Sequence, residues 1–273
     1  MPIGRKSVST DRFGIQFALL NRLFRVPGIR QLWRALRPDR GPIDPELRPV
    51  FIVGCGHSGT SILAAILDSH SNLHALAGES YAFRPWFSAK RIRAYLTGKM
   101  AAELPTGKRL LEKTPRHIHE VHRIRMLFPK AQIIAITRDG RDVVASIKKR
   151  TGLITPAMRR FRSDNEAVLE LSGISWAIVV RYENLVKEPE KTIRTVLDFL
   201  EEPYEPLHET YTERDRNWYG GGSVHGQRRS AQLNSPLFDG SGKWRDALSQ
   251  SEFKKFVACC GDVQTRLGYD LRT

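Results

Sequence analysis

The stretch from Val50 to Leu67 limits what this chain can fold into more than any other. Four apolar residues, Val50 to Val53, read as a short buried strand, and Ser61-Ile62-Leu63-Ala64-Ala65-Ile66-Leu67 opens a helix. Between them Gly54, Gly56 and Gly59 let the backbone turn tightly and bring its N–H groups close to a ligand. A strand, a glycine turn and a helix N-terminus together make an anion cradle suited to phosphate or sulfate. Against the nucleotide-triphosphate loop G-x-x-x-x-G-K-[ST], Gly54, Gly59 and Ser61 fall in place, but Thr60 stands where the lysine belongs. The cation that reaches the β- and γ-phosphates is therefore missing. The cradle is expected to hold the 5′-end of a nucleotide other than a magnesium triphosphate.

Downstream, strands alternate with helices. Leu110, Leu111 and Lys113 lie on a second strand ended by Thr114-Pro115, residues 116–128 read as a helix, and Ala131 to Thr137 is the clearest buried strand. At its end Arg138-Asp139-Gly140-Arg141-Asp142 opens a helix from Val143 to Lys149, and Ile174 to Tyr182 gives another strand. Pro189 begins a helix through Leu200, as proline at a first helical position favours. This order predicts an α/β fold of three layers, with a parallel central sheet between helices. The glycine-rich segment 203–243, with Gly220-Gly221-Gly222 at its middle, reads as a long binding loop or lid, and a helix from about Ser251 to Leu267 closes the chain.

Lys and Arg number 44 against 29 Asp and Glu, a formal net charge of +15 over 273 residues, so the surface field favours anions. Residues 1–50 carry ten of these cations against four acids. There Phe13, Phe17, Leu20 and Phe24 recur at helical spacing, and residues 13–37 read as a basic amphipathic helix, suited either to packing on the domain or to weak contact with an anionic membrane surface. The prolines from Pro38 to Pro49 set off residues 1–49 as an arm and linker before a domain over 50–273. Three cysteines, Cys55, Cys259 and Cys260, do not make a disulfide framework, and the apolar piece from Phe13 to Leu20, broken by Gln16, does not read as a secretory signal. A cytoplasmic location, with peripheral membrane contact through the arm as the variant, is the expectation.

Joined to Arg138, Ser146, Tyr182-Glu183-Asn184-Leu185-Val186 and Gly242-Lys243-Trp244, the loop makes the chain resemble the sulfotransferases that use 3′-phosphoadenosine 5′-phosphosulfate, over about residues 50–270. The similarity is closest to the tyrosylprotein-sulfotransferase-like branch. It implies a P-loop-like phosphosulfate-binding loop made by Gly56, His57, Ser58, Gly59, Thr60 and Ser61. It further implies that Arg138 and Ser146 grip the 3′-phosphate, that Arg150 adds a contact four residues on, and that Tyr182, Ser230 and Lys243 complete the nucleotide site. An arginine's planar fork of donors suits phosphate oxygens. By the same resemblance Glu79 is the base that takes the acceptor hydroxyl's proton, and Lys113 stabilises the transferring group. One position departs from the family pattern: His57 stands where lysine or arginine serves as the cation at the bridging oxygen. An imidazolium there would titrate near neutrality.

The expected activity is in-line transfer of a sulfuryl group to an acceptor hydroxyl of a sugar, phenol, lipid or small metabolite, with no metal and no nucleic-acid partner. Oligomeric state stays open. Two other classes fit parts of the chain: a P-loop nucleotide kinase or triphosphatase, disfavoured by Thr60 and by Thr137-Arg138 where a magnesium-binding acid would follow the strand, and a basic nucleic-acid or membrane-surface binding protein. His117, His119 and His122 lack the spacing and companions of a metal site. Arg141 is assigned to structure, paired with a nearby aspartate, and Trp244 to packing.

Overall fold

In a computed structural model of the protein, which describes residues 41–219 and 224–271 together with residue 29, five short strands form one parallel sheet. They are β1 (Val50–Gly54), β2 (Leu73–Ala75), β3 (Arg109–Lys113), β4 (Gln132–Thr137) and β5 (Ala177–Arg181), in the order β2-β3-β1-β4-β5. All five residues of β1 are buried, as a central strand covered on both faces requires. Its side chains alternate between two cores. Val50 and Ile52 pack with helix α1 (Thr60–Asp68) and a later helix at Ile193 to Leu200, while Phe51 and Val53 pack with Ile92, Leu96, Ile124 and Val168 on the opposite face. The expected three layers are therefore present.

Helix α2 (Ala89–Glu103) and a short α3 (Val121–Leu127) cover one face. Helix α4 (Gly140–Thr151) follows β4 and packs on α5 (Ile154–Leu169). Tyr182 opens α6 (Tyr182–Lys187), and α7 (Pro189–Leu200) supplies the later helix of the first core. After α8 (Leu207–Thr210) come α9 (Val224–Leu233) and α10 (Trp244–Ala247), and a capping box at Ser249 and Glu252 starts α11 (Gln250–Arg266).

Several expectations need amendment. Residues 116–128 do not form one helix: a 3₁₀ turn over Pro115–Glu120, whose His117 and His119 bond Glu112 and Asp164, precedes α3. Tyr182 belongs to α6 rather than to β5. The segment 203–243 is not a structureless lid, since it contains α8, α9 and a 3₁₀ turn at Tyr211–Glu213. What orders it is a buried ion pair. Arg216, 3% exposed, donates from Nε to Asp68 Oδ2 at 3.0 Å and from Nη2 to Ser69 Oγ at 2.7 Å, which ties the segment to the end of α1. Gly220-Gly221-Gly222 and the amphipathic stretch 13–37, residue 29 apart, lie outside the described residues.

Gly54 sets how closely β1 and β4 approach. At φ +133° a Cβ on it would lie 2.4 Å from the Ile136 carbonyl oxygen. We expect Gly54→Ala to destabilise the protein by about 2 kcal/mol or more through backbone strain and overpacking. A fall in the urea unfolding midpoint would measure it, and an unchanged midpoint would mean that the strand edge can move apart.

Candidate active site

The sheet register decides which side chains meet. Ile52 pairs with Lys113, Gly54 with Ile136 and Thr137 with Arg181, so the glycine loop, Lys113, Arg138 and Tyr182 all emerge at the carboxyl edge of the sheet. Ligands bind at that edge in open parallel sheets.

The loop leaves hydrogen-bond donors open at the start of α1. Gly59, with φ +96°, is the N-cap of α1, and no side chain caps the first amides of the helix. A Cβ on Gly59 would lie 2.7 Å from the Tyr182 ring. Ser58 is fully buried, yet its hydroxyl has no partner among the described residues. A buried hydroxyl left unbonded costs free energy unless a ligand meets it. Thr60 is buried beside it, and Ser61 Oγ lies 2.7 Å from the Tyr219 hydroxyl.

Arg138, just before α4, and Ser146, within it, adjoin this loop. Arg138 donates to the His57 carbonyl at 3.3 Å and to the Gly240 carbonyl at 2.6 Å, with its guanidinium 4.3 Å from the centre of the Tyr182 ring. Its Nε is buried and unbonded, a second donor awaiting a partner. His57 Nδ1 lies 2.8 Å from Ser146 Oγ, so the side chain at the departing position of the loop reaches toward the second group. His57 has φ +73°, unusual for a residue with a side chain. Burial raises the Tyr182 hydroxyl above its ordinary pKa, and it donates to the Phe238 carbonyl at 3.1 Å.

Glu79 and Lys113 pair on the other side of the loop. Lys113, 1% exposed, donates to Glu79 Oε1 at 3.2 Å and to the Tyr219 hydroxyl at 2.7 Å, while the Tyr81 hydroxyl donates to Glu79 Oε2. A chain of contacts thus runs from Ser61 through Tyr219 and Lys113 to Glu79. Tyr219 went unread in the sequence because it follows no motif and sits in a segment without periodicity.

The remaining predicted residues lie less centrally. Lys243 is exposed, with Nζ 4.8 Å from the Phe238 ring centre, and its turn is pinned by Asp142, which accepts from the Gly242 and Trp244 amides at 2.8 and 2.9 Å. Burial raises the Asp142 pKa. Arg150 is exposed on the last turn of α4, four residues beyond Ser146. Ser230 lies on α9, and its hydroxyl donates to Asn217 Oδ1 at 3.5 Å. Arg141 pairs with Asp139 at 2.6 Å and packs on Trp244.

Beneath the loop lie groups that the motifs did not point to. Asp164 on α5 is buried and binds His119 Nε2 at 2.7 Å and Arg160 Nε at 3.3 Å. Glu112 is 1% exposed and accepts from Ser80 Oγ at 2.6 Å and pairs with His117 Nδ1 at 3.0 Å, which anchors the turn carrying Glu79. Among the described residues no three His, Cys, Asp or Glu side chains gather as a metal would need.

Burial pushes the Asp164 carboxyl up, but His119, Arg116 and Arg160 outweigh it and hold its pKa below the usual range. A depressed folded-state pKa contributes stability that is fully present above the unfolded value, about 3.9, and is lost as pH falls through the folded one. The stability gap between wild type and Asp164→Asn should therefore be widest near neutrality and narrow below about pH 4. Urea titrations at several pH values check this, and a gap independent of pH would contradict it.

A family model described as "Sulfotransferase family" matches residues 49–105 and 89–206. The Drosophila melanogaster protein-tyrosine sulfotransferase is 25% identical over 264 residues, 82% of this chain and 52% of its own length. The chain thus spans about half of that relative, and 27% of an uncharacterized protein of Aquifex aeolicus (strain VF5) that is 26% identical over 207 residues, 61% of this chain. Among solved structures, the sulfotransferase domain from the curacin biosynthetic pathway superposes with a TM-score of 0.61 at 20% identity, covering 84% of this chain and all of that one. The mouse sulfotransferase SULT7A1 complexed with PAP superposes at 0.54 with 13% identity, covering 83% and 90%. These likenesses carry the fold.

Proposed function

Since this chain belongs to the sulfotransferase family, we propose that it moves a sulfuryl group from 3′-phosphoadenosine 5′-phosphosulfate to an acceptor hydroxyl. The observation that carries this reading is the junction of two anion-binding groups. The glycine loop meets Arg138 and Ser146 through His57, and Ser58 Oγ and Arg138 Nε are buried donors without partners among the described residues. One nucleotide bearing an anion at its 5′ and 3′ positions would satisfy both. A PAP complex of a fold neighbour supports the same nucleotide class.

In this reading the loop amides, Ser58, Thr60 and Ser61 hold the 5′ group, and Arg138, Ser146 and Arg150 hold the 3′-phosphate. Tyr182, Lys243 and Ser230 border the nucleotide. Glu79 accepts the proton of the attacking hydroxyl, and Lys113, buried against it, offers positive charge to the group in transfer. His57 adds a titratable donor at the loop. Residues 80–108 and the segment around Tyr219 border the acceptor, which the fly relative makes worth testing first as a phenol. Three free thiols fit a reducing cytoplasm, and the basic stretch 13–37 fits weak contact with an anionic membrane surface.

Calorimetry should find binding of adenosine 3′,5′-bisphosphate without magnesium and none of magnesium ATP. Tight ATP binding with no bisphosphate binding would move the chain to the kinase class. With labelled donor and a phenolic acceptor, Glu79→Gln should lower kcat about 10²–10⁴-fold while bisphosphate binding is kept. A Glu79→Gln enzyme as fast as wild type would remove that residue as the base. The rate should also fall as His57 loses its proton, and His57→Lys should flatten that limb of the pH profile. Coincident profiles would take His57 out of the chemistry.

A further inference from the structure

The loop lacks a permanent cation of its own. Thr60 stands at the triphosphate-loop lysine, and His57 carries an imidazole, not a permanently charged group, whose Nδ1 contacts Ser146. A 5′-phosphosulfate calls for charge that pH does not remove.

Arg160 lies at that place. It comes from α5, and its guanidinium rests against the loop so closely that a Cβ on Gly56 would lie 2.5 Å from Nη2 and 3.1 Å from Cζ. A side chain at position 56 would therefore have to displace the Arg160 guanidinium. Arg160 Nε is held by Asp164 at 3.3 Å, and Asp164 is held in turn by His119. Its Nη1 and Nη2 make no hydrogen bond among the described residues, although three quarters of the side chain is out of water. Burial works against this charge, while Asp164 and Glu79 favour it. The head group is therefore oriented at one end and uncommitted at the other, beside the anion cradle and within the field of Glu79.

Resting on the sulfotransferase reading, we propose that Arg160 is the permanent cation of the donor loop and directs its two terminal nitrogens at the 5′-phosphosulfate. Asp164 acts as a positioning residue that fixes the guanidinium through Nε and leaves Nη1 and Nη2 for the ligand. The arrangement replaces a cation on the loop by one reaching it from a neighbouring helix.

Calorimetry with two nucleotides tests the assignment on the full chain. Adenosine 3′,5′-bisphosphate carries both anions, and adenosine 3′-monophosphate lacks the 5′ one. Arg160→Met should weaken the bisphosphate about tenfold, the scale of one lost charge-assisted hydrogen bond, and leave the monophosphate unchanged. Arg138→Met should weaken both. Arg160→Lys, which keeps the charge but cannot bond Asp164 and ligand together, should recover part of the loss and guards against a folding defect in the methionine variant. Equal bisphosphate affinity in Arg160→Met and wild type overturns the proposal, as does an equal loss for both nucleotides. A wild-type protein that binds neither nucleotide overturns the sulfotransferase reading and this inference with it, whereas intact wild-type binding with an indifferent Arg160 overturns only the latter.

Discussion

The pairing of β1 with β4 is the constraint on which the site depends. Gly54 lies opposite Ile136, so one strand enters its glycine turn beside the point where the other delivers Arg138. A shift of that register by one residue would turn the side chains of a strand to opposite faces and carry Arg138 away from the loop. The register is held by the cores on both faces. Val50 and Ile52 are committed to one cluster and Phe51 and Val53 to the other, with each of the four fully buried. The absent side chain at Gly54 then lets the backbones approach, because any Cβ there would meet the Ile136 carbonyl. Core packing and loop chemistry are thus the same requirement read at two ends of one strand.

Around this edge, buried charges are paired with opposite charges or hydrogen-bond donors. Glu112 would be costly at 1% exposure, but His117, Ser80 and Thr114 bond it and hold its pKa down against the effect of burial. That cluster lies next in sequence to both Lys113 and Glu79, so satisfying a buried carboxylate also fixes the two residues proposed for chemistry. Asp68 and Arg216 do the same for the segment that brings Tyr219 to Lys113. Cys55, wholly buried behind the loop, is kept a thiol by burial first and by Asp164. Fully satisfied polar networks of this kind specify one arrangement, since a partner lost leaves the other group unpaired in a dry interior.

The parts legible in the sequence were those where local pattern and tertiary role agree. Val50 to Val53 and Ile133 to Ile136 are apolar without interruption because both faces of the sheet are covered. The glycine turn, Arg138 and the helix at Pro189 carry their own signals. Leu73–Ala75 escaped notice because three residues are too short for a period. Helix α5 escaped for a different reason: its buried face mixes Ala157, Met158, Phe161 and Val168 with Asp164 and Asn165, so the apolar stripe is interrupted by polar groups whose partners lie far along the chain. Arg160 was hidden with it. Tyr219 belongs to a segment tied to α1, which no local pattern encodes.

The same reasoning bears on a glycine loop that carries no lysine or arginine of its own. A cation placed on the loop brings charge and backbone together in one short segment, and its loss would leave the amides and hydroxyls to hold a phosphosulfate alone. Here the positive charge is distributed: Lys113 comes from β3, Arg138 from the end of β4 and Arg160 from α5, each fixed by a partner outside the loop. Fixed donors that need no rearrangement as charge develops are worth more in a dry site than mobile ones. His57 lies within hydrogen-bond distance of Ser146, which joins the glycine loop to α4 physically. Its left-handed backbone, φ +73° between Gly56 and Ser58, is a conformation that costs free energy in a residue with a side chain.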